Sequence, residues 1–416
     1  MKNISDKITV ESITPQDKHA FFGYYDVSPE SEDGTKILYN VAPFNDHMPD
    51  KSDALKVGYY DTTDNKYIEI GETHAWNFQE GCRLQWMSND EVIYNDRQDD
   101  HYISIEYDIK SKKKTIYDVP VYSLDRKNRR ALTYNFNRNR YSYAHDESEE
   151  KTDYAKDGIF ILDLNDNSTK LLISLEDLAI ANGTMGLNNW VEHCSFNPDG
   201  SRFCFFHRWN DENGLMQTNF CVSDLDGKYN VVIKKGFCSH FGWKNNDVLT
   251  AWARLPRGIN KVQQNQSAIV KKFYSFALKI YHLLIHDNSI KQKLTNDAYI
   301  VFDFNNDTKN KIPNPDFVSD GHCTWDGDKH IMLTDTYPDS ENLRSLMLYS
   351  ENDNQVYLLG KFFSYPDIRD KEKYSLAGIR CDLHPKWSYD HKKVYFDSTH
   401  EGHRGLYRVD ISGLDI

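Results

Sequence analysis

Short apolar runs recur along this chain between tight polar turns, and a polar residue, most often His, stands at the head of most pairs of runs. The clearest copy spans His193 to His207. Cys194-Ser195-Phe196 leads into the turn Asn197-Pro198-Asp199-Gly200, and Arg202-Phe203-Cys204-Phe205-Phe206 returns to a terminal His. Apolar runs of this length on either side of a Pro-Asp-Gly turn predict two antiparallel strands.

Seven copies are found. They open at His19, Arg83, Val121, His193, His240, His322 and His384, and most are followed by two further strand-like runs. Gly158 to Leu164 with Lys170 to Ile173, and Asn219 to Leu225 with Tyr229 to Lys234, are examples. Four strands per unit and seven units predict an all-β, seven-bladed β-propeller, a single domain over 1–416. The leading run, Lys7 to Ile13, is placed to close the ring by pairing with the last blade, which removes exposed sheet edges. One segment breaks the rhythm. Ser267 to His286 has the wide apolar face of a helix, so a helical insertion, 255–297, is expected within blade five.

In a propeller the first strand of each blade starts near the axis and the second returns to the same face. His19, Arg83, His193, His240, His322 and His384 are therefore expected around the central mouth. Asp96-Arg97, His207-Arg208, Arg254, Tyr337 and His400 stand just outside them, and Tyr24-Tyr25 lies close to the first opener.

Composition narrows the function classes. The net charge of −13 disfavours nucleic acid and anionic membrane surfaces as partners. No run reaches the roughly 18–20 apolar residues of a membrane span, and Met1 to Lys7 lacks the apolar core of a signal peptide. Seven Cys without a CxxC pair read as buried, reduced thiols. A cytoplasmic protein is expected.

A mouth of His, Arg and Tyr has a definite chemistry. Neutral imidazole ligates transition metals and serves as a base near neutral pH, and Arg offers a forked clamp for carboxylates. Taking a proton from carbon next to a carboxylate needs those groups, with an acid for the leaving oxygen. Breaking a uronate glycosidic bond by β-elimination is such a reaction, whereas hydrolysis uses paired carboxylates. Only Asp26, Asp96 and Asp382 stand out near the expected mouth, so elimination is favoured.

The His193 unit with its terminal His207, the His240-Phe241-Gly242-Trp243 unit and the closing His384-Pro385-Lys386-Trp387-Ser388 resemble the oligogalacturonate lyase family. So does the tail Val394-Tyr395-Phe396-Asp397-Ser398-Thr399 with Leu406-Tyr407-Arg408-Val409-Asp410. The resemblance covers the C-terminal half; the first half shares the repeat rhythm. It implies a seven-bladed propeller that cleaves short pectic oligomers by β-elimination, with a His base, an Arg, and manganese held by His and Gln. His193 then matches the base, His240 or His322 a metal ligand, and His384 one His of the closing metal motif. The family has a second His across the Pro and a Gln upstream; here Asp382 and Ile379 stand there. Either Asp382 is an oxygen ligand to a divalent metal, manganese or calcium, or no metal is bound and Arg380 takes the substrate carboxylate. The chain is also similar to lyase-like propellers of bacterial surface-polysaccharide synthesis, which implies a uronate-containing glycan other than pectin.

The reading is thus a lyase acting on an acidic oligosaccharide or polysaccharide. His193 is the base and Tyr24 the acid. Arg208, Arg254 or Arg380 is the clamp, and His240, His322, His384 and Asp382 hold metal or substrate. His19, Arg83, His207, Tyr337 and His400 are expected to line the substrate site. The alternative is a non-catalytic propeller that binds glycan or protein.

Overall fold

The computed structural model describes residues 1–99, 101–138, 153–254, 292, 296–364 and 379–416. The expected helical insertion, 255–297 with Ser267 to His286, lies almost wholly outside them.

Seven antiparallel sheets are arranged as the blades of a propeller. Blade one is built from His19–Phe21, Lys36–Ala42, Leu55–Asp61 and Lys66–Thr73, and blade two from Gln85–Trp86, Glu91–Gln98, His101–Asp108 and Lys114–Tyr117. Blade three holds Ser123–Asp125, Arg130–Tyr134, Gly158–Asp163 and Ser168–Ser174; blade four holds Asn189–Phe196, Arg202–Asn210, Met216–Asp224 and Tyr229–Ile233. Blade five follows with Cys238–Trp243, Val248–Arg254, Asp297–Asp303 and Thr308–Lys311, and blade six with Thr324–Asp326, Ile331–Asp335, Leu343–Ser350 and Gln355–Phe363. Blade seven takes Lys386–Trp387, Lys393–Ser398 and Gly405–Asp410 from the C-terminus and Val10–Ser12 from the N-terminus.

That last pairing is the expected ring closure, with Val10 opposite Val409 and Ser12 opposite Tyr407. A second tie was not anticipated. Lys2–Asn3 adds in parallel to the outer strand of blade six, and Ile4, 3 % exposed, is buried in the core between blades six and seven. The N-terminal segment therefore staples two adjacent blades. One α-helix, Leu175–Asn182, joins blades three and four among the described residues; Ser174 caps its start by accepting from the Asp177 N–H, and Gly183 ends it at φ 65°.

The cores are layered between neighbouring blades, with aromatic side chains bridging each interface. Trp86 donates to the Pro29 carbonyl, Trp243 to that of Ser195 and Trp325 to the Thr250 hydroxyl, so each reaches back to the preceding blade. All seven Cys are buried and unpaired.

Ile4→Ala removes the apolar anchor of the staple and should cost about 2–5 kcal/mol. Chemical denaturation reads the loss; an unmoved midpoint would show that the ring stays closed without this contact.

Candidate functional site

The inner strands break their own ladders where they reach the axis. In blade four the register shifts between Glu192 and Ser195, which leaves His193 and Cys194 outside the pairing. In blade five the shift falls between Cys238 and Phe241 and frees His240. His193 and His240 are thus bulge residues inside longer strands, rather than strand openers as the sequence pattern suggested. Bulges re-aim side chains, and here two imidazoles turn toward the axis. Arg83, His193 and His384 also adopt left-handed backbone conformations, at φ 55°, 54° and 41°, which cost non-glycine residues about 1–2 kcal/mol each.

Blade one contributes differently. After Phe21 the chain leaves the sheet through Gly23, at φ 125°, where a Cβ would stand 2.7 Å from the Glu80 carbonyl oxygen. Only glycine fits there. The Phe22 and Gly23 N–H groups donate to the Asp397 carboxylate, and Tyr24-Tyr25-Asp26 is thereby delivered to the mouth.

Four imidazoles converge. The His240 and His322 ring centroids lie 4.0 Å apart, and those of His322 and His384 4.3 Å apart. Tyr24, half-buried, stacks on His193 at 5.4 Å with planes 13° apart and meets the His384 ring edge-on at 5.1 Å. Tyr337 lies 6.0 Å from His240, and Arg380 stacks over it at 4.8 Å while donating to its hydroxyl.

Carboxylates orient these rings. The His322 Nδ1 lies 2.9 and 3.0 Å from the Asp335 oxygens, and the His240 Nδ1 2.9 Å from Asp320. Each Nδ1–H is committed to its carboxylate, which directs Nε2 away from it. His193 Nδ1 lies 2.6 Å from the Tyr122 hydroxyl, which donates to Glu80 Oε1 at 2.7 Å. Burial, with help from Arg208, His240 and Arg83, pushes the proton affinity of His193 well below the ordinary value. Burial and the neighbouring His322 do the same to His384. Burial also lowers His322, partly offset by Asp335. These are neutral imidazoles.

Asp26, Asp96 and Asp382 are the carboxylates the sequence suggests here; Asp96 instead accepts from the His74 N–H, while the fold brings Glu80, Glu192, Asp320 and Asp335 beside Asp26 and Asp382. They are occupied. Arg83 clamps Asp26 with two hydrogen bonds of 2.9 and 2.8 Å. Arg208 pairs with Glu192. Arg344 and Arg380 both reach Asp382, at 2.6 and 2.7 Å. Burial opposes ionisation of Asp382, but the two guanidiniums outweigh it and hold the carboxyl well below the usual range.

The ligating atoms of His322, Asp382 and His384 all lie within 4.8 Å of one another, an arrangement that could hold a metal ion. The two imidazoles fit: His384 Nε2 is buried with no hydrogen-bond partner, and His322 carries the carboxylate brace usual for a ligating His; Asp382 would have to share its oxygens with Arg344 and Arg380.

The remaining sequence candidates have their described partners elsewhere. His207, fully buried, sits between Asn189 and Asn182, because the blade-four ladder runs on past the bulge and makes it an interior strand residue opposite Val191. His19 faces the Arg404 backbone. His400 packs on Phe362 and Tyr407 and bonds Ser398. Arg254 pairs with Asp297. Arg83, by contrast, does reach the mouth, over the Tyr24 and Tyr122 rings, where Asp26 and the Tyr122 carbonyl engage it. Glu80, Tyr122, Glu192, Asp320, Asp335 and Arg344 are the site residues that the sequence pattern missed. Asp335, ending the second strand of its blade, was within reach of the strand-end rule; the others carry no local signal.

No family model matches the chain, and no curated protein is similar to it in sequence. Solved structures do match. An oligogalacturonate lyase from Vibrio parahaemolyticus is 11% identical, with TM-score 0.63, over 99% of this chain and 95% of that one. An oligogalacturonate lyase in complex with manganese is 15% identical, with TM-score 0.63, over 96% and 92%. TolB from Acinetobacter baumannii also matches, at 12% identity and TM-score 0.41 over 92% and 79%. At these identities the likeness to the two lyases is one of fold.

The buried imidazoles tie stability to pH. His193, His207, His322 and His384 stay neutral in the folded chain, whereas unfolded imidazoles bind protons below about pH 6.5. Glu80 acts in the opposite sense, since burial holds its proton up to about pH 7. Below about pH 6.5, unfolding of chelator-treated protein should on balance take up protons, so stability should decrease as the pH is lowered. Denaturation across a pH series measures the slope; a flat profile would mean that these rings are protonated in the folded protein.

Proposed function

We propose that the protein is a lyase that breaks a uronate-containing oligosaccharide or polysaccharide by β-elimination at the axial mouth. The observation that carries this reading is the convergence of four buried imidazoles, of which His193, His322 and His384 meet Tyr24 and His240 meets His322, with Arg380 at their edge. The two lyases of the same fold support it. Elimination needs a base for the proton next to the carboxylate, a counter-charge for the developing anion, and an acid for the leaving oxygen. His193 is the base in this reading, held neutral at working pH by its burial. Tyr24, stacked against it, is the acid. Among Arg208, Arg254 and Arg380, the clamp is Arg380, which is partly exposed and adjoins Tyr337.

His322, His384 and Asp382 would hold a divalent cation, with His240 beside them; when bound, it would add charge neutralisation at the substrate carboxylate. Two imidazole donors favour a transition metal such as manganese over calcium. Carboxylates are plentiful near the mouth, but among the described residues their engagement with Arg, His and Tyr leaves no free pair of the kind hydrolysis requires.

The test is ultraviolet absorbance from the new conjugated double bond on a panel of uronate-containing polymers and oligomers, with manganese, calcium or chelator. A rise that His193→Ala abolishes is expected. Arg380→Ala should lower kcat/KM about 10–100-fold, the worth of a charge-assisted hydrogen bond. No rise on any substrate, together with glycan binding that survives each His substitution, would favour a non-catalytic binding propeller.

A further inference from the structure

A base that burial keeps neutral has a difficulty once it accepts a proton. The His193 imidazolium would sit desolvated among Arg208, Arg83, His240 and His322, all of which disfavour it. The structure supplies an exit. His193 Nδ1, the Tyr122 hydroxyl and Glu80 Oε1 form a continuous chain with steps of 2.6 and 2.7 Å. All three residues are buried, Glu80 at 4 %, Tyr122 at 1 % and His193 at 9 % exposure.

We propose that Glu80 and Tyr122 are positioning residues that decide which nitrogen of His193 carries its proton, and that Glu80 is where a proton accepted by His193 comes to rest. The proposal rests on the reading of His193 as the base. With Glu80 ionised, Tyr122 donates to Glu80 and accepts from His193 Nδ1–H, which leaves the Nε2 lone pair to receive a proton. When Nε2 takes one, the Nδ1 proton passes to the Tyr122 oxygen and the Tyr122 proton passes to Glu80. The products are neutral His193 protonated at Nε2, an intact tyrosine, and a protonated Glu80. One proton enters, one rests on the carboxyl, and no imidazolium persists.

The surroundings suit each part of that chain. Tyr122 is held in place by its own backbone: its carbonyl accepts from Arg83 Nε and from Gln85, and its ring packs on Tyr134 at 5.1 Å. Burial raises the Glu80 carboxyl to about 7, against the pull of Arg83 and Tyr122 and with Asp26 and Glu192 adding to the rise. A group that holds a proton near neutrality can both take and return one. Burial and Glu80 raise the Tyr122 hydroxyl well above the ordinary value, so it passes protons without staying ionised. The charged and titratable groups facing the chain include Asp26 and Tyr24 from blade one, Arg83 from blade two, Tyr134 from blade three, and Glu192 and Arg208 from blade four. His240 and His322 face it from blades five and six. Glu192 Oε1 lies 3.9 Å from His193 Nε2 and is paired with Arg208, so the shorter contact to Tyr122 dominates the choice of tautomer.

The experiment uses the full chain labelled with ¹⁵N-histidine, treated with chelator and free of substrate. Two-bond ¹⁵N–¹H correlations distinguish the tautomers, and the His193 signals are identified by their loss in His193→Gln. The His193 proton should move from Nδ1 above neutrality to Nε2 below it, and this response should vanish in Glu80→Gln. Tyr122→Phe, which keeps the ring packing, should also abolish it, so the test survives if Glu80→Gln does not fold. Glu80→Asp should restore part of it. A His193 tautomer that ignores pH in the native chain, or that responds unchanged in both variants, overturns the proposal. Because no substrate is present, this outcome is independent of whether the protein proves to be a lyase. If it does, Glu80→Gln should flatten the acidic limb of the kcat profile, which a purely structural role would leave in place.

Discussion

Removal of charge from water governs the axis of this propeller. Around it the fold buries imidazoles, guanidiniums and carboxylates that would each be costly alone. The solutions differ by residue type. His193, His322 and His384 become neutral. Asp382 stays charged between Arg344 and Arg380. Lys386, fully buried, pairs with Asp397, which also collects the Phe22 and Gly23 amides. Glu80 has no guanidinium at hydrogen-bonding distance among the described residues and rises toward neutrality. One physical penalty thus sorts the site into neutral bases, fixed charges and one carboxyl whose hold on its proton is raised toward neutrality.

The same axis explains where the backbone is irregular. A regular strand would alternate its side chains between the two faces of its blade and aim none of them down the channel. Turning His193 and His240 inward takes a bulge, and Arg83, His193 and His384 take left-handed conformations. Such strain persists only where the surroundings over-determine it. Here the aromatic layers between blades, and an N-terminal segment that ties blades six and seven, supply that rigidity. A site assembled from all seven blades tolerates little slack, so ring closure and site geometry are one problem.

Much of this architecture was legible in the chain because its signals are local. Apolar runs, short polar turns and recurring polar residues mark seven units without reference to anything distant, and Lys7 to Ile13 was identifiable as the closing strand by its position. The His residues at 193, 240, 322 and 384 were found because they recur at one place in that unit. Tyr24 was found by its nearness to the first unit, and Arg380 by its nearness to the last.

The rest depends on contacts between blades. His207 and His193 bracket the same hairpin, yet one faces Asn189 and the other faces the mouth, because a bulge shifts the register between them. His19 opens blade one, but the chain leaves the sheet after Phe21 and sends Tyr24 to the mouth in its place. Glu80 and Tyr122 are 42 residues apart, and nothing local marks either as a partner of His193. Pairing of buried charges is settled by closure of the ring, where burial sets the penalty and proximity across blade interfaces determines which group can relieve it. Local patterning is enough to specify the repeat and the residue types gathered at the axis. Which of them meet is set by the packing of blade against blade.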